Sequence, residues 1–143
     1  MSFDLKIQNS DLVLKNGQLT TVIDGDKLIQ DILKICLTAA GSNPLHPWYG
    51  SFISRTIIGS AEHSSILVQV AKSQLTTALQ NLKDLQDIQL KSFQRVSADE
   101  QINAISDISI VRSQIDPRLF DVRIKVISKG FKPITTSFRV STI

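Results

Sequence analysis

Gly41-Ser42-Asn43-Pro44-Leu45-His46-Pro47-Trp48-Tyr49-Gly50-Ser51 joins two apolar helical patterns and decides how the chain is read. The stretch holds two of the four prolines, two of the six glycines, and the only Trp and Tyr of the 143 residues. Ordinary connections run about four to six residues and are polar; this one is longer, stiff and aromatic. Pro44 and Pro47 fix two φ angles and push Asn43 and His46 toward extended backbone. Gly41 suits a left-handed cap on the preceding helix, and Gly50 permits a turn that a Cβ would resist. The expectation is one fixed excursion carrying Leu45, Trp48, Tyr49 and Phe52, either capping the core or meeting a partner.

On the N-terminal side, Leu28, Ile29, Ile32, Leu33, Cys36 and Leu37 recur at helical spacing, which predicts an amphipathic helix over 26–40 with Lys27, Gln30, Asp31 and Lys34 on its wet side. Asp24-Gly25-Asp26 supplies a capping aspartate. Before it, Leu12 to Val22 reads as a β-hairpin around Asn16-Gly17, whose positive φ angles suit a type I′ turn. No internal repeat is expected. Beyond the loop, Ile57-Ile58-Gly59-Ser60 leads to a second helix. Leu67, Ala71, Leu75, Ala78, Leu79 and Leu82 mark its buried stripe, and Ile66 and Val70 widen it. Ser60 or Ser64 serves as its cap, and Asp84-Leu85-Gln86-Asp87 ends it.

The remainder reads as strands. Ile88 and Leu90 alternate, and Phe93 and Val96 follow with a parity change that suggests a bulge. Ser97 to Gln101 is a polar loop, and Ile105 to Ile115 is a further run ending at a turn through Asp116-Pro117-Arg118. Phe120, Val122, Ile124 and Val126 point inward, while Asp121, Arg123 and Lys125 point out. Lys129-Gly130 turns the chain into a last alternating strand of Ile134, Thr136, Phe138 and Val140. The fold class is α+β: one domain over 1–143, with an N-terminal strand/hairpin region at 1–25, two helices at 26–85, and a mostly antiparallel sheet at 86–143 on which the helices pack.

Charge is uneven. Residues 1–60 are neutral, 61–110 carry −2, and 111–143 carry +5, which accounts for more than the net +3. Arg and Lys interleave with Ile and Val there, which favours a solvated sheet surface over a nucleic-acid arm. Cys36 has no partner for a disulfide and reads as a small buried hydrophobe. The uncharged run Ile35 to Ser54 contains two prolines, two glycines, Asn43 and His46, which argues against a membrane span. No signal peptide is visible, so a protein made in a cytoplasm is expected.

Chemistry-bearing patterns are missing. A glycosidase needs two carboxylates, one in an apolar setting. The only glutamates are Glu62, near a helix start, and Glu100, in the polar loop. Neither is flanked by aromatics that would desolvate it. His46 and His63 have no zinc-ligand spacing, and there is no nucleophile elbow or phosphate-binding glycine loop. The expectation is no enzyme, no catalytic residue, no cofactor and no metal.

A helix running into Leu37-Thr38, then Gly41 and Pro44-x-x-Pro47-x-Tyr49-Gly50-Ser51, resembles the contractile-tail baseplate wedge family. This is the sheath-initiator family of phages, historically labelled "lysozyme-like", with relatives in type VI secretion and contractile bacteriocins. The likeness covers roughly 10–143, closely at 28–53 and by pattern elsewhere. It implies a virion structural protein of the tail baseplate, made in the host bacterial cytoplasm. Such a protein joins the inner wedge to the first sheath ring and initiates sheath assembly by β-strand addition. The implied partners are other wedge proteins, the sheath protein and tail tube or hub proteins, with six copies per baseplate and neither membrane nor nucleic acid. Partner contact is expected at Pro44, Pro47, Trp48, Tyr49 and Gly50, and on the last strand at Ile134, Thr136, Phe138 and Val140. Family members often carry a Glu-Pro-Arg docking motif after the second helix. Here that place reads Leu85-Gln86-Asp87-Ile88, and Asp116-Pro117-Arg118 lies between later strands. The alternative is a small soluble binding or adaptor module that uses the basic C-terminal strands toward nucleic acid or protein.

Overall fold

Three helices pack on one face of a three-stranded antiparallel sheet, and a small β-knob precedes them in the computed structural model, which describes residues 2–57 and 64–141. The fold is α+β. In the sheet, β7 (Ile102–Arg112), β8 (Leu119–Ser128) and β9 (Pro133–Ser141) lie in chain order, so among the described residues β8 is central and β9 is an edge. Alternation sets the faces: Phe120, Val122, Ile124 and Val126 are buried, and Asp121, Arg123 and Lys125 are exposed.

Helix α1 (Asp24–Leu37) buries Leu28, Ile32, Ile35 and Cys36, and α3 (Ser64–Lys91) buries Leu67, Ala71, Leu75, Ala78, Leu79 and Leu82. A short helix α2 (Ile53–Ile57) adds Ile53 and Ile57 to the same core. Each fully buried Leu or Ile contributes about 1.5–3 kcal/mol of transfer free energy.

The structure corrects several expectations here. Ile66 and Val70 lie exposed and do not widen the stripe of α3. Helix α3 does not end at Asp84–Asp87 but runs to Lys91, so a boundary at 86 falls inside it. Ile88 and Leu90 are therefore helical and exposed. Phe93 ends the helix at φ 60, a left-handed conformation uncommon for a bulky residue. The reason for the longer helix is Gln86. It is buried, donates from Nε2 to the Glu100 carbonyl at 2.9 Å, and accepts the Ile102 N–H on Oε1 at 2.9 Å. One side chain thus pairs the backbone that enters β7, a requirement that periodicity does not show. The bulges lie within β7, near Ala104 and Asp107. Helix α1 begins at Asp24 with Ile23 at its N-cap, whose side chain cannot accept a hydrogen bond, so the expected aspartate cap is not formed; the Asp24 carboxylate accepts the Ser97 hydroxyl at 2.8 Å. Ile58, Gly59, Ser60, Glu62 and His63 fall outside the described residues.

The N-terminal region holds more than the hairpin at Asn16-Gly17. β2 (Ile7–Gln8) pairs with β3 (Asp11–Leu12), β4 (Leu14–Lys15) with β5 (Gln18–Leu19), and β1 (Asp4–Leu5) with β6 (Thr21–Val22). Both two-residue turns, Asn9-Ser10 and Asn16-Gly17, have the paired positive φ values of type I′. Where the three segments meet, Lys6 N–H donates to Thr20, Thr20 N–H to Val13, and Val13 N–H to Lys6, at 2.8–3.0 Å. These residues are seven apart. The sequence carries the same period: Ile7-Gln8-Asn9-Ser10-Asp11-Leu12-Val13 matches Leu14-Lys15-Asn16-Gly17-Gln18-Leu19-Thr20 in type. A short internal repeat is therefore present where none was expected.

Candidate partner-binding edge and loop

The proline loop closes on a narrow neck. Ala40 N–H donates to the Ser51 carbonyl at 3.1 Å, Ser51 N–H to Thr38 at 2.9 Å, and the Ser51 hydroxyl to Cys36 at 2.5 Å. Gly41 N–H reaches the Pro47 carbonyl at 3.1 Å, and the Asn43 side chain accepts the Leu45 N–H at 3.0 Å. Gly50 sits in the neck at φ +117, where an added Cβ would lie 2.6 Å from the Thr38 carbonyl oxygen and 2.9 Å from the Ala40 nitrogen. Only glycine fits both the angle and the space. Gly41 is left-handed as expected, at φ +82, but α1 has already ended with an extended Thr38, so Gly41 does not cap it.

Of the loop's aromatics, Tyr49 packs against the core, while Trp48 and Phe52 do not cap it. Tyr49 is half-buried against the core, and Gly50 and Ser51 are buried. Pro44, Pro47, Leu45, Phe52 and Trp48 are exposed, Trp48 by 44% and Leu45 by 84%. Trp48 stacks edge-on with His46 and Tyr49 at 5.7 and 6.0 Å between centroids. Its carbonyl accepts a 3.4 Å bond from Asn81 on α3. The result is a rigid aromatic projection whose apolar surface is left in water.

On β9, Ile134, Thr136 and Val140 are buried and Phe138 is half-buried, so these side chains complete the core. What β9 presents outward is backbone. Ser128 N–H donates to Lys132, and β8 and β9 then pair without interruption from Ile127–Pro133 to Leu119–Ser141. Strict alternation of antiparallel ladders turns residues 134, 136, 138 and 140 toward β8 and the N–H and C=O of Thr135, Ser137 and Arg139 away from it. Pro133, with no N–H to lose, occupies an outward position, as edge strands allow. The opposite edge, on β7, carries two register shifts, and Lys83 Nζ donates to its Asn103 carbonyl at 3.0 Å. Of the two edges, β9 is the regular one.

Carboxylates group elsewhere. A cleft of about 340 Å³ is lined by Phe3, Asp4, Asp31, Lys34, Tyr49 and Leu85, among others. Lys34 bridges Asp4 and Asp31, and Lys27 holds Asp31 at 2.6 Å. Burial pushes the Asp4 carboxyl up, but hydrogen bonds from Lys34 and Gln30 outweigh it and leave it below its ordinary value. A general acid needs the opposite shift. Glu100 is not a solvated loop residue, which corrects the expectation: it is 1% exposed. Its Oε2 accepts the Ser2 hydroxyl at 2.6 Å and the Ser97 N–H at 3.2 Å, and its Oε1 has no partner among the described residues. Buried in this way, it lines none of the clefts described.

Among the described residues, no cluster of His, Cys, Asp or Glu has metal-binding geometry, and no helix is long and apolar enough to cross a membrane. Burial raises the Cys36 thiol to about 12. In the basic C-terminal third, Lys129 pairs with Asp87, Lys132 with Asp99 and Arg139 with Asp121. Much of that charge is therefore already answered within the chain. Leu85 to Ile88 lies inside α3.

Sequence reasoning missed the apolar surface of the knob. Ile7, Leu12, Leu14 and Leu19, which face each other across the two tight hairpins, are exposed. The heptad repeat is the signal that would have found it.

No family model and no curated relative matches the chain. Its fold is similar to the crystal structure of a "putative tail lysozyme" from Geobacter sulfurreducens. The TM-score is 0.60 at 11% identity, over 93% of this chain and 97% of that one. That likeness establishes the fold.

Proposed function

We propose that this chain is a structural component of a contractile tail baseplate, and that it initiates the sheath by accepting a partner strand on β9. The observation that carries the reading is the regular outward ladder at Thr135, Ser137 and Arg139, on an edge that Pro133 marks as unpaired. The Pro-x-x-Pro-x-Tyr-Gly-Ser loop supports the family resemblance, and the name of the Geobacter sulfurreducens protein points to the same kind of particle. The exposed Leu45, Trp48 and Phe52 suit a contact with a neighbouring wedge protein.

The reading includes no lytic activity. Asp4 and Asp31 are tied to lysines, and Glu100 is sealed from solvent. Purified protein should leave a peptidoglycan suspension turbid; clearing that disappears on Glu62→Gln or Glu100→Gln would defeat this part.

The assembly test uses register parity. Ser137→Pro removes an outward donor, so the variant should fold but fail to nucleate sheath. Thr136→Pro removes a donor bonded to β8 and should unfold the sheet. Sheath of normal length on Ser137→Pro baseplates would refute strand addition at β9.

A further inference from the structure

The same outward ladder has a second use, and this inference rests on the outward groups of Thr135, Ser137 and Arg139 that the proposed function also invokes. We propose that, before any partner strand arrives, two copies of this chain pair β9 with β9 antiparallel across a two-fold axis at Ser137, so that each copy covers the other's docking edge.

An antiparallel pair between identical edges is self-complementary by construction. Centred on Ser137, it sets Ser137 opposite Ser137 of the second copy and Thr135 opposite its Arg139. The N–H and C=O groups of all three residues meet their counterparts in hydrogen-bonded pairs. On the helix side, Ile134 then lies opposite Val140 and Thr136 opposite Phe138, which are apolar or β-branched pairs that stabilise cross-strand contacts. On the solvent side, Arg139 keeps its own Asp121, at 2.8 Å, and faces a neutral threonine.

The registers centred on the neighbouring outward residues are worse. Centring on Arg139 sets two guanidinium groups directly opposite each other, and like charges there destabilise. Centring on Thr135 brings Ser137 opposite Pro133, which has no N–H, and carries Arg139 past the end of the strand into the 129–132 turn. Pro133 and Arg139 thus act as register markers. They count against those two registers, and the bulges of β7 close the opposite edge to such pairing.

The consequence is a concentration-dependent guard on the docking edge. A sheath strand must displace the second copy, so free protein does not recruit sheath indiscriminately.

The test needs only the purified chain. Sedimentation equilibrium should show a reversible dimer. Ser137→Cys should form a disulfide-linked dimer under mild oxidation, because the paired Cα atoms would lie about 5.5 Å apart, within the range a disulfide spans. The native Cys36 is buried and should not compete. Thr135→Cys alone should not cross-link, but mixed with Arg139→Cys it should. Ser137→Asp, which places two carboxylates face to face at the axis, should abolish the dimer with an unchanged circular dichroism spectrum. A chain that stays monomeric from micromolar to millimolar concentration would overturn the proposal, as would Thr135→Cys cross-linking as well as Ser137→Cys. A monomeric chain that still nucleates sheath would overturn this inference alone. A Ser137-centred dimer whose Ser137→Pro variant still nucleates sheath would overturn only the proposed function.

Discussion

Replacing Gly50 with alanine gives the sharpest test of the loop. Two independent costs combine there. A residue with a Cβ at φ +117 occupies sparsely populated backbone, which costs about 1–3 kcal/mol. The Cβ would also meet the Thr38 carbonyl oxygen at 2.6 Å, the Ala40 nitrogen at 2.9 Å and the Ala39 carbonyl carbon at 3.0 Å. All three are backbone atoms of the hydrogen-bonded neck, so none can swing aside as a side chain could. Overpacking of that kind adds about 1–3 kcal/mol. The expected loss is therefore roughly 2–6 kcal/mol, equivalent to a fall in Tm of about 7–20 °C for a domain of this size. Urea unfolding with a shared m value measures it. Gly17 and Gly41 serve as controls, because both have positive φ but open space where a Cβ would stand. Gly17→Ala and Gly41→Ala should each cost only the conformational part, about 1–2 kcal/mol. If Gly50→Ala falls within about 1 kcal/mol of Gly41→Ala, the neck yields to the methyl group and the rigidity of the loop is disproved.

Gln86→Leu should destabilise by about 2–4 kcal/mol, since it strands the buried Ile102 N–H and the Glu100 carbonyl together; a loss below about 1 kcal/mol in urea would show that those groups find other partners. Trp48→Ala should change stability by less than about 1 kcal/mol, because the ring is largely in water, while baseplates carrying it should fail to assemble; a large drop in melting temperature would return Trp48 to a core role. The Asp4–Lys34 pair that ties the knob to α1 should have a defined pH window. The folded Asp4 carboxyl is depressed below 3.8, so its contribution is present above that value and is lost as pH falls through the folded one. For Lys34, burial lowers the ammonium's pKa, but bonding to Asp4 and Asp31 outweighs it and raises it above 10.5. Its contribution is therefore present below 10.5 and is lost as pH rises through the folded value. Both side chains are about a third exposed, so the pair contributes at most about 1 kcal/mol. Hydrogen exchange of Leu5 and Ile7 in wild type and Asp4→Asn checks it, and identical pH profiles would contradict the assignment.

What the sequence revealed and concealed follows from the range of each signal. The buried stripes of α1 and α3 and the inward face of β8 are periodic and local, so Leu28 through Cys36, Leu67 through Leu82 and Phe120 through Val126 were all legible. The Asn16-Gly17 turn was legible because its chemistry is local too. Asn9-Ser10 uses the same backbone with a serine in place of glycine, and only its seven-residue offset from Asn16-Gly17 betrays it. The end of α3 was misread because Ile88 and Leu90 alternate, and two alternating residues suit a strand or a helix surface equally. The deciding interaction, Gln86 with the backbone of Glu100 and Ile102, is tertiary. Glu100 was misjudged for the same reason: the Ser97 backbone folds back onto its carboxylate, and Ser2 reaches it from the far end of the chain.

For the site proposed on β9, the residues that stand out in sequence are not the ones the edge presents. Ile134, Thr136, Phe138 and Val140 stand out in sequence because they alternate, and that same alternation buries them. A strand-accepting edge works through the residues between them, whose side chains are ordinary in composition and whose backbone carries no sequence signature. The sequence does hold one parity marker, Pro133. A proline in an antiparallel strand must place its missing donor away from its neighbour, so residues two, four and six positions on share its outward phase. From Pro133 alone, the free groups of Thr135, Ser137 and Arg139 follow without coordinates, provided β9 is an edge. The structure supplies that proviso through the strand order, and with it the prediction that proline is tolerated at 137 and destructive at 136.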